Sequence, residues 1–335
     1  MDLAAAERHL TEHVAGHADV LPYRMQDDLD GWLEQRRQGI GGSDAGTVLG
    51  INPYQGRFEL WLNKTGVVPD KDLNDVEVVY WGNVLEDIVC REFARRADVP
   101  LFDSRGIYRS KTEPWQQLSP DRFCLDPETG APALFEAKTA GEHMADHWDD
   151  GEIPDHYQAQ VLHGCAVTGL RSAWIGVLIG GQRYEYRRVE VDEDLLHDIT
   201  VAERLFWTEN VVGGRQPEVD ASESCTDLRR TMWTAIDETV ELDPLAREVA
   251  LGYLEAHAEV KAAEQRKAEF GNWLRKELAE NSVGTVDGVK VVSHKAAADN
   301  RFDVTRFKEE HPALYEQYLI SGSTRRLYVP KSIAA

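Results

Sequence analysis

The sequence predicts an α/β fold, a mixed sheet flanked by helices, with a C-terminal extension that is helical and carries a small hairpin. Three observations predict it. From residue 106 the apolar pattern changes from helical spacing to strand spacing. A helical stretch at 154–167 then separates an early set of three strands from two later ones. Beyond a Gly-, Pro- and Ser-containing acidic stretch at 213–225 the pattern is mostly a long charged helix. The organisation expected is therefore an N-terminal helix and loop at 1–29, a core at 30–220 and an arm at 226–335.

Leu3, Ala6, Leu10 and Val14 give residues 2–20 a helical face. Asp30 is placed to cap a helix over Gly31 to Arg37. Gly39, Gly41 and Gly42 then make a tight loop, and Ser43 or Asp44 caps a short helix from Ala45 to Leu49. Helices are expected over Arg57 to Lys64 and from Val76 to about Ala97, with a polar loop at Asp70 to Asp75 between them. The strands are Gly106 to Ser110, Gln116 to Leu125 and Ala133 to Thr139, the last two separated by a turn at Asp126 to Gly130. Strands at Ser172 to Ile179 and Arg183 to Val191 flank a Gly180-Gly181 turn, and a helix runs from Asp192 to about Val212. In the arm, a helix from Leu242 to Leu278 has the look of a coiled-coil-like element. A hairpin turns at Asp287-Gly288, a helix over Asp303 to Tyr318 breaks at Pro312, and a last strand covers Arg325 to Val329.

The chain has 335 residues, an apolar share of 42% and a net charge of −22. That charge argues against a broad nucleic-acid-binding surface but leaves room for a focused basic channel. No run of eighteen apolar residues suggests a membrane span, and the N-terminus lacks a basic start and an apolar core, so a cytoplasmic protein is expected. Cys90, Cys124, Cys165 and Cys225 share no metal-ligand spacing and read as buried thiols.

Chemistry concentrates in Leu134-Phe135-Glu136-Ala137-Lys138-Thr139. On a strand Glu136 and Lys138 share one face, while Phe135 and Ala137 face a core. A carboxylate beside an ammonium is either a plain ion pair or a site for a hydrated cation and a water. Asp121, ending Ser119-Pro120-Asp121, and Glu86, beside the apolar side of its helix, would add two carboxylates. Three carboxylates and a lysine suit a magnesium nuclease; alternatively Glu86 pairs with Arg91. The loop from Arg37 to Ala45 offers free N–H groups and an arginine to a phosphate, or is an ordinary capped turn. It lacks the Walker lysine, so the phosphate would be that of DNA.

Seven motifs in order resemble the YqaJ-like viral recombinases, relatives of phage lambda exonuclease in the PD-(D/E)XK nuclease superfamily. They are Arg37-x-Gly39-Ile40-Gly41-Gly42-Ser43-Asp44-Ala45, Glu59-Leu60-Trp61, Trp81-Gly82-x-x-x-Glu86, Ser119-Pro120-Asp121, Glu136-Ala137-Lys138, Tyr157-x-x-Gln160-Val161-x-His163 and Ala166-Val167-Thr168-Gly169. Together they span about residues 30–212. The resemblance implies a restriction-endonuclease-like core. It implies a magnesium-dependent exonuclease, with Mn²⁺ as a substitute, acting 5′ to 3′ on linear duplex DNA with a 5′-phosphorylated end. The product would be a 3′ overhang for recombination with a single-strand annealing protein. A trimeric ring is expected only by analogy.

By the same resemblance Glu86, Asp121 and Glu136, with the Ala137 carbonyl, would hold the metal. Lys138 would position water or stabilise the transition state, and Gln160 would orient water, lysine or phosphate. Arg37 or Arg36, with Ser43 and the Gly41-Gly42 backbone, would bind the 5′-phosphate. Val79 stands where an apolar wedge would part the strands, or where a core residue would pack. Departures from the family are Thr139-Ala140 where many relatives have Cys-Pro, and Leu162 where a polar residue is usual. Neither removes a metal ligand. The competing readings are an endonuclease of the same superfamily and a non-catalytic DNA-end-binding scaffold. An iron–sulfur nuclease is not expected, because its cysteine cluster is missing.

Overall fold

A computed structural model describes residues 2–68, 76–219, 239–296, 301–319 and 327–334. The chain divides into two compact units, Met1–Met232 and Trp233–Ala335.

In the first unit α1 (Leu3–His17) buries Ala6, Leu10 and Val14, the expected apolar stripe. It ends before Val20, because Ala18–Leu21 forms strand β1 against β3 (Ile107–Ser110). Helix α2 (Leu29–Arg37) is capped by Asp28, whose side chain accepts from the Gly31 N–H; Asp30 lies inside the first turn instead. Helix α3 (Gly42–Leu49) starts before Ser43 and Asp44, so neither is its N-cap. Asp44 reaches back to accept from the Gly41 N–H at 2.8 Å. Helices α4 (Arg57–Lys64) and α5 (Glu77–Ala97) follow, and the loop expected at 70–75 lies outside the described residues.

The stretch expected as one strand from Gln116 to Leu125 is two. Strand β4 (Gln117–Leu118) pairs with β3, and β5 (Arg122–Leu125) joins a different sheet. Pro120, with no N–H to donate, falls in the break. The early strands therefore do not form one meander. A three-stranded sheet has the order β1-β3-β4. A five-stranded sheet has the order β2-β5-β6-β7-β8, with β2 (Leu101–Asp103), which the pattern did not suggest, at its edge. Strands β6 (Pro132–Ala140) and β7 (Ser172–Ile179) are parallel, while β8 (Arg183–Glu190) and β5 run antiparallel to their neighbours, so the sheet is mixed. A 3-10 segment (Glu142–Gly151) and α6 (Asp155–Thr168) connect the parallel pair, as a crossover must.

The alternation along β6 sends Phe135 into a cluster with Val89, Cys90 and Phe93 of α5, where the Phe93 and Phe135 rings stack at 4.4 Å. Leu134 joins α1 and α6 in the main core. Glu136 and Lys138 share that second face but lie towards its open end. Helix α7 (Glu193–Leu205), capped by Asp192, continues as a π-helical segment (Phe206–Val212).

In the second unit α8 (Leu245–Leu278) is followed by a hairpin of β9 (Val283–Val286) and β10 (Val289–Ser293). Asp287 and Gly288 turn the hairpin at φ 51° and 79°. Helices α9 (Val304–Glu310) and α10 (Pro312–Gln317) divide at Pro312, which is tolerated at a helix start because its missing N–H would be unpaired there. Residues 327–329 form no strand, and Arg325 and Arg326 lie outside the described residues. Among the described residues no helix is long and apolar enough to cross a membrane.

Candidate active site

One cleft of about 460 Å³ is lined by Glu86, Asp121, Glu136 and Gln160 and also by Arg36, Gly42 and Ser43. Four separate stretches of sequence supply the first four. Glu86 stands on α5, Asp121 precedes β5, Glu136 lies on β6 and Gln160 on α6.

Of the three carboxylates Glu136 is buried, and Glu86 and Asp121 are half-buried. Glu136 is 7% exposed, and its Oε1 accepts from Lys138 Nζ at 2.7 Å and from Gln160 Nε2. Asp121 Oδ2 accepts from the Ala137 N–H at 2.8 Å, which ties the loop after Pro120 to β6. Burial, reinforced by the negative charge of Glu136, pushes Asp121 well above the usual carboxylate range. Burial also raises Glu86; Arg122 opposes that rise and Glu136 adds to it. Burial works against the Lys138 ammonium, but Glu136 and Asp121 outweigh it and leave its pKa raised, so it stays charged. Lys138 Nζ also sits 5.0 Å from the centre of the Tyr157 ring.

Three carboxylates that repel one another around one cleft offer oxygen donors suited to Mg²⁺. Among the described residues no three His, Cys, Asp or Glu side chains already converge as a ligand cage. Glu86 is instead bonded to Arg122 at 3.2 Å, and Glu136 to Lys138 and Gln160. Donor type and electrostatics fit the ion, with Glu86, Asp121 and Glu136 as the residues that would hold it.

The other end of the cleft is built by α2 and α3. Arg36 Nη2 donates to Ser43 Oγ at 2.8 Å, and the guanidinium lies 4.6 Å above the Trp32 ring. Gly42 packs closely: a Cβ there would lie 3.2 Å from both the side chain and the carbonyl oxygen of Gln160. That close approach sets the start of α3 directly against the residue that bonds Glu136. Asp44 and Lys64 form a buried pair at 2.6 Å beneath this turn, and Lys64 Nζ also donates to the Arg36 carbonyl. Burial alone would raise Asp44, but Lys64 and Arg36 hold it below the usual range.

Four residues named from sequence stand outside the cleft lining: Ala137 and Lys138, which follow Glu136 on β6, and Arg37 and Val79. Arg37 pairs with Glu34 at 3.1 Å. Val79 is half-buried, while its neighbours Val78, Tyr80 and Trp81 are exposed. The partner suggested for Glu86 also differs, since Arg91 pairs with Asp87.

Sequence reasoning gave no role to Arg122, which bridges Glu86, Asp87 and Asp103. Its position next to Asp121 was the available signal. It also missed what His163 does. His163 and Glu203 are fully buried and meet at 2.8 Å, while His163 Nε2 donates to the Gln117 carbonyl and Gln116 donates to Glu203. The Gln117 carbonyl can only accept, so His163 Nε2 carries a proton and Nδ1 faces the carboxyl group. Burial alone would lower the His163 pKa, and Glu203 reverses it to a raised value. The pair locks α6, α7 and β4, the strand that leads into Asp121.

Residues 31–171 match the family model of the YqaJ-like viral recombinase domain. The chain is 33% identical over 304 residues to the protein YqaJ of Bacillus subtilis (strain 168), covering 90% of this chain and 93% of that one. Crystal structures of LHK-Exo, an alkaline exonuclease from Laribacter hongkongensis, one of them in complex with dAMP, are similar over 55% of this chain and 93% of theirs. The identity there is 16% and the TM-score 0.45.

Proposed function

The chain belongs to the family of YqaJ-like viral recombinase domain proteins, and from that premise we propose that it is a magnesium-dependent exonuclease. It removes one strand of linear duplex DNA in the 5′-to-3′ direction from a 5′-phosphorylated end and leaves a 3′ single-stranded overhang. The observation that carries this reading is the shared cleft, in which a phosphate-type pocket and a carboxylate cluster line one space, with Lys138 bonded to Glu136 behind it.

Arg36, Ser43 and the N–H groups at the start of α3 hold the terminal phosphate by charge-assisted hydrogen bonds. Glu86, Asp121 and Glu136 would hold Mg²⁺, which supplies an activated water and neutralises charge on the reacting phosphate. Lys138, kept charged by Glu136 and Asp121, stabilises the developing negative charge. Gln160 stands between the two halves of the cleft and fixes the orientation of Glu136. The overhang would pass to a single-strand annealing protein, the partner this product implies.

The test is digestion of linear duplex DNA in Mg²⁺ or EDTA, beside closed circular DNA and the Lys138→Ala variant. Mg²⁺-dependent loss of one strand, with circles spared and the variant slowed by about 10²–10⁴-fold, is the expected result. Cutting of circles would make it an endonuclease, and no cutting by the intact chain would leave a DNA-end-binding scaffold.

A further inference from the structure

Helix α8 carries an apolar seam that is exposed along most of its length among the described residues, with Ala246 and Leu274 half-buried. Positions 246, 249, 253, 256, 260, 263, 267, 270 and 274 alternate by three and four residues, the spacing of a coiled-coil core. They are Ala246, Val249, Tyr253, Ala256, Val260, Ala263, Lys267, Phe270 and Leu274, eight apolar residues and one lysine. Val249, Val260 and Phe270 are 65%, 57% and 69% exposed, and among the 34 residues of the helix only Leu278 is buried. A helix of that length spans about 50 Å, long enough for more than four heptads.

We propose that α8 is a dimerisation element that pairs with α8 of a second copy of this chain in antiparallel orientation. Charge decides the orientation. Parallel pairing would place Lys267 against Lys267 of the partner subunit and Glu259 beside Glu264 of the partner subunit, two like-charge contacts. Antiparallel pairing about a two-fold axis between residues 261 and 262 removes both. Val260 then meets Ala263 of the partner subunit, and Tyr253 meets Phe270 of the partner subunit, an aromatic pair formed twice. Lys267 packs its stem across Ala256 of the partner subunit, which leaves room for the ammonium to reach water. On the flanks Glu259 faces Arg266 of the partner subunit. Trp273 faces Gly252 of the partner subunit, and an added Cβ on Gly252 would have nothing within 4 Å, so the space beside it is open. From position 249 to position 274 every opposed core pair is apolar or large against small.

The proposal is independent of the chemistry assigned to the cleft and is tested without an activity assay. Light scattering on the full chain is expected to give twice the 37.8 kDa chain mass. The double variant Val260→Glu with Phe270→Glu is expected to give the single-chain mass with its helical circular dichroism retained, since both side chains are exposed in the single chain. Orientation is read by oxidation. A chain carrying both Ala256→Cys and Lys267→Cys is expected to form a disulfide-linked dimer that the unaltered chain and Ala256→Cys alone do not form. Within one helix those two positions are about 16 Å apart and cannot bridge to each other. A monomeric chain, a trimer that survives the double Glu variant, or a linked dimer from Ala256→Cys alone would each overturn the proposal.

Discussion

Helix α6 has 14 residues and buries eight of them; helix α8 has 34 residues and buries one. The two helices differ in what their sequence is for. In α6, Ala159, Val161, Leu162, Cys165 and Val167 are buried, and two of its polar residues, Gln160 and His163, bond Glu136 and Glu203. In α8 the apolar residues form a seam with charged flanks, in which Val249, Val260 and Phe270 are exposed. Burial on the first helix positions chemistry; exposure on the second invites a partner.

The largest effect that would sharpen this contrast uses one residue type in both places. Phe93→Ala, which empties the stack against Phe135, is expected to cost about 3–5 kcal/mol in urea unfolding. Phe270→Ala is expected to change single-chain stability by less than about 0.5 kcal/mol. Equal costs would mean that α8 is covered within one chain.

Next comes the ion pair under the phosphate pocket. Asp44→Asn leaves Lys64 buried without its carboxylate and is expected to cost about 3–5 kcal/mol. The same change at exposed Glu259 is expected to cost less than about 1 kcal/mol, because exposed ion pairs contribute little. A small loss at Asp44 would show that the turn before α3 does not depend on that pair.

The pH profile follows with smaller effects of opposite sign. Asp44 has a depressed folded pKa, so its contribution is present above its ordinary value of 3.8 and is lost as pH falls through the lower folded value. His163 has a raised folded pKa, so its contribution is complete below its ordinary value of 6.5 and is lost as pH rises through the higher one. Melting temperature measured against pH should therefore lose its acid limb in Asp44→Asn and its alkaline limb in His163→Gln. Unchanged limbs would contradict the two buried pairs.

The smallest effect runs against intuition. Asp121 is held above its ordinary range, so its charged form opposes folding at neutral pH. Asp121→Asn keeps an oxygen for the Ala137 N–H and is expected to raise the melting temperature while it abolishes cleavage. It should also remove any stabilisation of the chain by added Mg²⁺. A lower melting temperature would show that the carboxylate serves structure.

Sequence made much of this legible where periodicity was strong. The alternation around Glu136 correctly sent Phe135 to the core, and Gly169, at φ 71°, ends α6 as expected. What stayed hidden depended on contacts between distant residues. The division of 116–125 between two sheets depends on partners in β3 and β6, so one apolar run looked like one strand. Strand β2 is three residues long, too short to show a period. Arg36 and Arg37 are adjacent on α2, and only the angle of that helix brings Arg36 to Ser43 and leaves Arg37 with Glu34. Arg122 could be placed beside Glu86 only once β5 lay under α5.

The central claim is that one cleft both grips a terminal phosphate and holds the hydrolytic cluster. Its most direct test is the ratio of digestion rates on 5′-phosphorylated and 5′-hydroxyl linear duplexes in three chains: unaltered, Arg36→Ala and Arg37→Ala. The account predicts a strong preference for the phosphate in the unaltered chain, kept in Arg37→Ala and lost in Arg36→Ala. A preference that survives in Arg36→Ala and vanishes in Arg37→Ala would contradict it.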